Sequence, residues 1–198
     1  MSRSNIDPTA ATDTLSAAPT AERLSALKHD AVGLKSLPLT PPQICDLALL
    51  LAGGFGPLSG YPGRADYAQV LDHQRLANGV LFPVPLFLEA GAGLARQLEP
   101  GERVVLRDDE GAMLALLTVA EIWPRDRQAE AEALYPGLPA VASDRRLGTQ
   151  QYAIGGRVES LGLPPPADYP ELRPGPQVLR QACAGSRGDI AVEPLEGM

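Results

Sequence analysis

Two histidines, two cysteines, a run of acidic residues, two pairs of arginines and one glycine-rich loop are where this sequence could do chemistry. His29 and His73 have no partner at metal-ligand or triad spacing, so a general-base or ligand role would need tertiary coincidence; both read as surface or turn residues. Cys45 and Cys183 lie far apart with no C-x-x-C and no Cys/His cluster. They read as reduced thiols, Cys45 on the apolar side of a helix. Asp108-Asp109-Glu110 could attract a cation but lacks the alternating ligand pattern of a calcium loop, which leaves a solvated turn. Gly53-Gly54-x-Gly56 follows a helix instead of opening one, and no Lys or Ser/Thr stands after it at P-loop spacing, so it does not read as a phosphate cradle. Arg125, Arg127, Arg145 and Arg146 are the best basic residues for an anion or RNA. Glu121, Asp126, Glu130 and Glu132 interleave with the first pair, and a salt-laced, exposed helix face is the reading. No catalytic residue, metal ligand or cofactor-binding residue is assigned, and no cofactor is expected.

The elements that must position these groups are short. The 198 residues are 44% hydrophobic but 5% aromatic, and 20 Gly with 20 Pro predict many turns and exclude a long helical bundle. One domain of ordinary size with tails fits the length, and such a domain buries roughly two-thirds of its unfolded surface without disulfides. A net charge of −7 and a sequence pI near 4.8 set an unfavourable field for a nucleic-acid partner. No run approaches the ~18 apolar residues of a membrane span, and the N-terminus lacks a signal-peptide core. A cytoplasmic protein without membrane contact is expected.

The chain is organised around Gly53-Gly54-Phe55-Gly56-Pro57-Leu58-Ser59-Gly60-Tyr61. Its glycines and proline supply turn geometry, while Phe55, Leu58 and Tyr61 anchor it. The helix feeding it is signalled by Thr40 as N-cap, Pro41 at the first helical position, Gln43 at capping-box spacing, and Ile44, Leu47, Leu50 and Leu51. A disordered tail is expected over 1–20. The domain runs over 21–163, opening with a short helix within Ala21 to Lys35 and an extended lead-in. After the loop come a short helix from Ala65 ending near His73, a turn at Asn78-Gly79, and an extended, partly edge-like stretch over Val80 to Leu88, which holds Pro83 and Pro85. Arg103 to Arg107 and Met113 to Val119, joined by Asp108 to Gly111, predict a β-hairpin. Its second strand continues to Trp123 and ends at Pro124. An exposed, charged helix over Asp126 to Leu134 follows, then a strand over Tyr152 to Glu159 whose Gly155-Gly156 pair suggests a bulge. Residues 164–198 read as a Pro/Gly-rich tail with one weak helical piece near Pro176 to Cys183.

The order of these pieces resembles the N-terminal domain of ATP sulfurylase (sulfate adenylyltransferase), most of all the form fused to adenylylsulfate kinase. The residues carrying the resemblance are the capped helix, the G-G-F-x-P-L-x-G-aromatic loop, Asp66-Tyr67, Arg75 to Gly79, Phe82-Pro83-Val84-Pro85 and Leu106-Arg107-Asp108-x-Glu110-Gly111. It runs from about Leu24 to Leu163 and survives in outline to Arg180. It implies an α+β fold, a PUA-like small mixed β-barrel with peripheral helices, spanning roughly Leu81 to Val158. It also marks Gly53, Gly54, Phe55, Pro57, Leu58, Gly60, Tyr61, Asp66, Tyr67, Arg75, Gly79, Pro83 and Pro85 as structural loop and motif residues, with Asp66 and Arg75 as polar supports.

In the resembled family a separate catalytic domain makes adenylyl sulfate and pyrophosphate from ATP and sulfate. Its Q-x-R-N-P-x-H-x-x-H signature would begin soon after Leu172 to Arg180, and residues 182–198 contain no such signature. Gly56 and Tyr61 stand where the family usually has Ser and Phe, and its G-T-x-D and H-P pieces are not recognisable between Pro136 and Gln151. The expectation is therefore a stand-alone, non-catalytic structural or interaction module related to sulfate assimilation. Two alternatives stay open: one part of a split sulfate adenylyltransferase, and an RNA-binding PUA module. The partners expected are a sulfurylase-type catalytic chain or a second copy of this chain.

Overall fold

The computed structural model describes residues 20–83, 85–137 and 148–163, together with 175, 176, 178, 179 and 181. Residues 1–19, most of 164–198 including Cys183, and 138–147 with Arg145 and Arg146 lie outside them. Of the weak helical piece, Leu179 N–H donates to Gly175 C=O at 3.2 Å.

The chain begins with α1 (Ala21–Ala31), capped by Thr20, whose side chain accepts from Arg23 N–H. A three-residue strand, β1 (Ser36–Pro38), leads to α2 (Pro41–Leu51). Gln43 Oε1 accepts from Thr40 N–H at 2.9 Å and from its hydroxyl at 3.0 Å, so the spacing read as a capping box does close the start of α2. Gly53 then takes φ +74°, which an L side chain resists, and ends the helix. Leu47 and Leu50 are the buried positions of α2. Cys45, two residues and about 200° around the helix from Leu47, is exposed, which corrects its expected place on the apolar side.

Beyond the loop, β2 (Gly60–Tyr61) precedes α3 (Arg64–His73), then β3 (Leu88–Ala90) and the short α4 (Ala92–Ala95). The hairpin forms as read from β4 (Arg103–Arg107) and β5 (Met113–Pro124); α5 (Arg127–Leu134) and β6 (Tyr152–Ser160) follow. The acidic run is its turn: Asp108 Oδ1 accepts from Ala112 N–H at 2.7 Å, and Gly111 takes φ +89°.

The six strands form one mixed sheet in the order β1-β4-β5-β6-β2, with β1 parallel to β4 and the other pairings antiparallel. β3 shares the outer edge of β6 with β2, against Ala153 and its neighbours, while β2 pairs with Gly156 and Arg157. Among the described residues this path stays open, with β1 at one end and β2 and β3 at the other. The α+β class holds, and the sheet does not close into a hydrogen-bonded barrel.

Two layers cover the sheet. Val104, Leu106, Leu117 and Val119 face the main core with Leu47, Leu50 and Leu88, while Val105 and Leu116 face Leu27 and Ala31 of α1. Burial on both faces is why β4 and the first half of β5 read as continuous apolar runs. The bulge lies on β5, where register shifts between Val119 and Glu121, and not on β6 where the glycine pair suggested it. Those glycines serve close approach instead. A Cβ on Gly156 would lie 2.2 Å from Thr118 O, one on Gly155 2.3 Å from Pro62 O, and one on Gly60 2.3 Å from Gly156 O.

Candidate functional site

The 53–61 loop is anchored as its composition suggests. Phe55 and Leu58 pack on the main core, Phe55 lies 6.2 Å from the Phe82 ring, and Tyr61 is buried in β2. Of its glycines only Gly53 has positive φ; Gly60 is required by the approach to β6. Asp66 and Arg75 support a different turn: Asp66 Oδ1 accepts from Ala77 N–H, and Arg75 Nη1 donates to Gly79 C=O, both at 2.8 Å. Gly79 sits in that turn at φ +85°. His29 and His73 are exposed.

Glu121, Asp126 and Glu132 are exposed as read, but Arg125 and Glu130 are buried, which corrects that part of the expected solvated face. Glu121 Oε2 accepts from Arg64 N–H at 2.7 Å, capping α3 where Gly63 has no side chain to do so. Asp126 caps α5 through Ala129 N–H. Glu130 is fully buried, as is the Arg125 side chain. Arg125 donates to Glu130 through Nε at 3.0 Å and Nη2 at 2.5 Å, and to Gln150 C=O through Nη1 at 3.0 Å. It also pairs with Glu89 at 3.2 Å and stacks over Phe87, 4.5 Å from the ring centroid. Tyr67 donates its hydroxyl to Glu130 and packs its ring against Phe87 and Trp123.

This cluster locks α5 to α3 and to the ends of β3 and β6. Burial works against the Arg125 charge, but Glu130 and Glu89 outweigh it and hold the guanidinium above its ordinary value. Burial and the Glu130 carboxylate push the Tyr67 phenol well up. The cluster leaves Arg125 unable to meet a phosphate backbone. Its signal was faint: α5 turns Arg127, Glu130, Ala131 and Leu134 inward at helical spacing, a stripe with too few apolar residues to read as one.

Beside the cluster lies a cleft of about 800 Å³. One wall is β1 with the start of α2, from Ser36 to Asp46; a second is formed by Pro83, Pro85, Phe87, Glu89, Gly91 and Leu94; the third by Leu134 and Tyr135 with Gly148, Thr149 and Gln150. Among its described lining residues the charged ones are Asp46 and Glu89, with no Lys, Arg or His. Burial raises the Asp46 carboxyl above its ordinary value. Burial also raises Glu89, a shift that Arg125 opposes and Glu130 reinforces. Burial and then Asp46 push up the phenol of Tyr61. The start of α2 faces this cleft with prolines at its first two positions, Pro41 and Pro42, which have no N–H to offer an anion. Pro83 and Pro85 of the sequence motif are thus cleft residues, while the loop 53–61 and the Asp66–Arg75 turn do not line it. Among the described residues no group of three His, Cys, Asp or Glu could hold a metal ion, and no helix is long and apolar enough to cross a membrane.

Residues 8–162 match the family model described as a PUA-like domain. Sulfate adenylyltransferase of Eremothecium gossypii is 35% identical over 175 residues, 87% of this chain and 35% of that protein. The Kluyveromyces lactis enzyme is 40% identical over 161 residues, 80% of this chain and 32% of its own length. A hexameric APS kinase from Thiobacillus denitrificans superposes with a TM-score of 0.63 and 34% identity, covering 82% of this chain and 28% of that one. The chain spans about a third of the length of the curated relatives it matches.

Proposed function

The chain belongs to the PUA-like domain family, and from that we propose that it is a non-catalytic structural or interaction module of sulfate assimilation, serving a sulfate adenylyltransferase-type catalytic unit without transferring nucleotide itself. Its relatives are named for adenylyl transfer to sulfate, and both sulfate and an adenylyl phosphate are anions that need cations or free N–H groups to hold them. The observation that carries the reading is the cleft's charge. It presents two carboxylates, lacks a cation among its described lining residues, and meets the start of α2 where two prolines remove the N–H donors. The best-placed arginine, Arg125, is buried and committed to Glu130 and Glu89.

Titration calorimetry with magnesium-ATP, then with sulfate in the presence of a non-hydrolysable ATP analogue, tests this. No saturable heat is expected, and a dissociation constant below about 1 mM for either ligand would overturn it.

A second form of the reading is a split sulfate adenylyltransferase, in which the catalytic unit is supplied by a separate chain. In that form, mixing with a separately produced catalytic chain restores activity that neither has alone. Self-association is the other partnership in keeping with the reading, supported by the hexameric state named for the Thiobacillus denitrificans protein, and light scattering on the eluting chain measures it.

A further inference from the structure

The cleft beside the Arg125 cluster has the chemistry of a receptor for a basic protein segment. Its walls are stiff: Pro38, Pro42, Pro83 and Pro85 line it with Phe87, so apolar contact there costs little ordering of the receptor. A volume of about 800 Å³ is near the upper end for small-ligand pockets and far exceeds a single ammonium group or metal ion. β1 forms one wall and is an outer strand of the sheet. Its Lys35 C=O and Leu39 N–H are bonded to β4, and alternation turns the backbone of Ser36 to the open side, where an extended segment could pair.

Charge selects the occupant. Glu89 already has Arg125 at 3.2 Å, but among the described residues Asp46 has neither an ion pair nor a hydrogen bond for its half-buried carboxylate. A carboxylate withdrawn from water without a partner costs stability, and such a cost is kept where a partner arrives from outside. The proline-blocked start of α2 offers nothing to an anion on the same wall. We propose that this cleft binds an extended segment of a partner protein that places a lysine or arginine against Asp46 and apolar flanking side chains against the prolines and Phe87. The proposal rests on the interaction-module reading and names where the partner is held and by what chemistry.

The test is an amide-resolved NMR titration of the labelled full chain with the peptide Gly-Ser-Leu-Val-Arg-Val-Leu-Ser-Gly. Its controls are the same peptide with Glu for Arg, and spermidine. Saturable shifts are expected at Ser36, Asp46, Glu89 and Gln150, with the Glu peptide weaker by at least roughly tenfold. Asp46→Asn weakens the Arg peptide by a similar factor while amides remote from the cleft keep their positions, and Asp46→Lys abolishes binding. No saturable shifts with the Arg peptide, equal binding of the Glu peptide or of spermidine at these residues, or unchanged affinity in Asp46→Lys would overturn the proposal. The nucleotide titration separates the two claims. If magnesium-ATP binds, the module reading falls whatever the peptide does; if neither binds, only the cleft assignment falls.

Discussion

Replacing Glu130 by alanine removes the acceptor on which the Arg125 cluster depends. The guanidinium loses its bonds at 3.0 and 2.5 Å and keeps Glu89 at 3.2 Å and Gln150 C=O at 3.0 Å, while its side chain stays fully buried. Breaking a buried ion pair from one side costs about 3–5 kcal/mol, and the surviving Glu89 contact places this case at the lower end. Tyr67 also loses the acceptor for its buried hydroxyl, worth about 1 kcal/mol more. The total of roughly 4 kcal/mol lowers the thermal midpoint by roughly 8–16 °C for a domain of this size. Urea unfolding followed by Trp123 fluorescence reads it well, since this single tryptophan lies 5.6 Å from the Tyr67 ring. Removing both charges in Arg125→Met with Glu130→Leu recovers only part of the loss: a buried pair replaced by apolar side chains is near neutral, but Glu89 loses its ion pair and Tyr67 still lacks an acceptor. A Glu130→Ala cost below about 1 kcal/mol, or a double variant as unstable as the sum of the single ones, would refute the claim that the buried cluster locks α5 to α3.

Three further outcomes follow from named contacts. Gly60→Ala and Gly156→Ala each force a Cβ to within 2.3 and 2.2 Å of a backbone oxygen and should cost about 3 kcal/mol or more in urea unfolding. Gly93→Ala in α4 meets nothing within 4 Å and should be neutral or stabilising by about 0.5–1 kcal/mol, the control for a general glycine effect. Asp46 is raised by burial, so the folded state holds its proton more tightly than the unfolded state, and its contribution to stability is present below the unfolded-state value and lost as pH rises through the folded one. Asp46→Asn should therefore be the more stable protein at pH 7, by less than about 1 kcal/mol for a partly solvated charge, and the difference should vanish in strong acid. Equal urea midpoints at neutral pH would count against an unpartnered carboxylate.

What could be read in the sequence was what acts over a few residues. Thr40, Pro41 and Gln43 announce the start of α2, and Asp108 to Gly111 announce the hairpin turn, because each signal and its structural result lie within one turn of chain. β1 and β3 have three residues each and α4 has four, too short to show a period of 2 or 3.6. The Gly155-Gly156 pair was visible, but its reason was not, since Pro62 and Thr118 reach it only through the sheet. Least legible was the Arg125 cluster, in which Tyr67 and Glu130 meet across 63 residues of sequence. Burial of a carboxylate is set by its tertiary partner, and α5 with alternating Ala and Glu looks like a solvent helix until that partner is known. The cleft was named only through Pro83 and Pro85, whose place in it depends on β1 and α2 coming to the other side.

Sulfate-dependent exchange between ATP and pyrophosphate, catalysed by the purified chain freed of any host sulfurylase, tests the central claim most directly. A chain whose cleft carries Asp46 and Glu89 and whose Arg125 is buried should give no exchange above the buffer rate, and none should appear in Asp46→Asn. Exchange at an enzymatic rate, about 1 per second or faster, would contradict the account and place nucleotide chemistry in residues described here as structural.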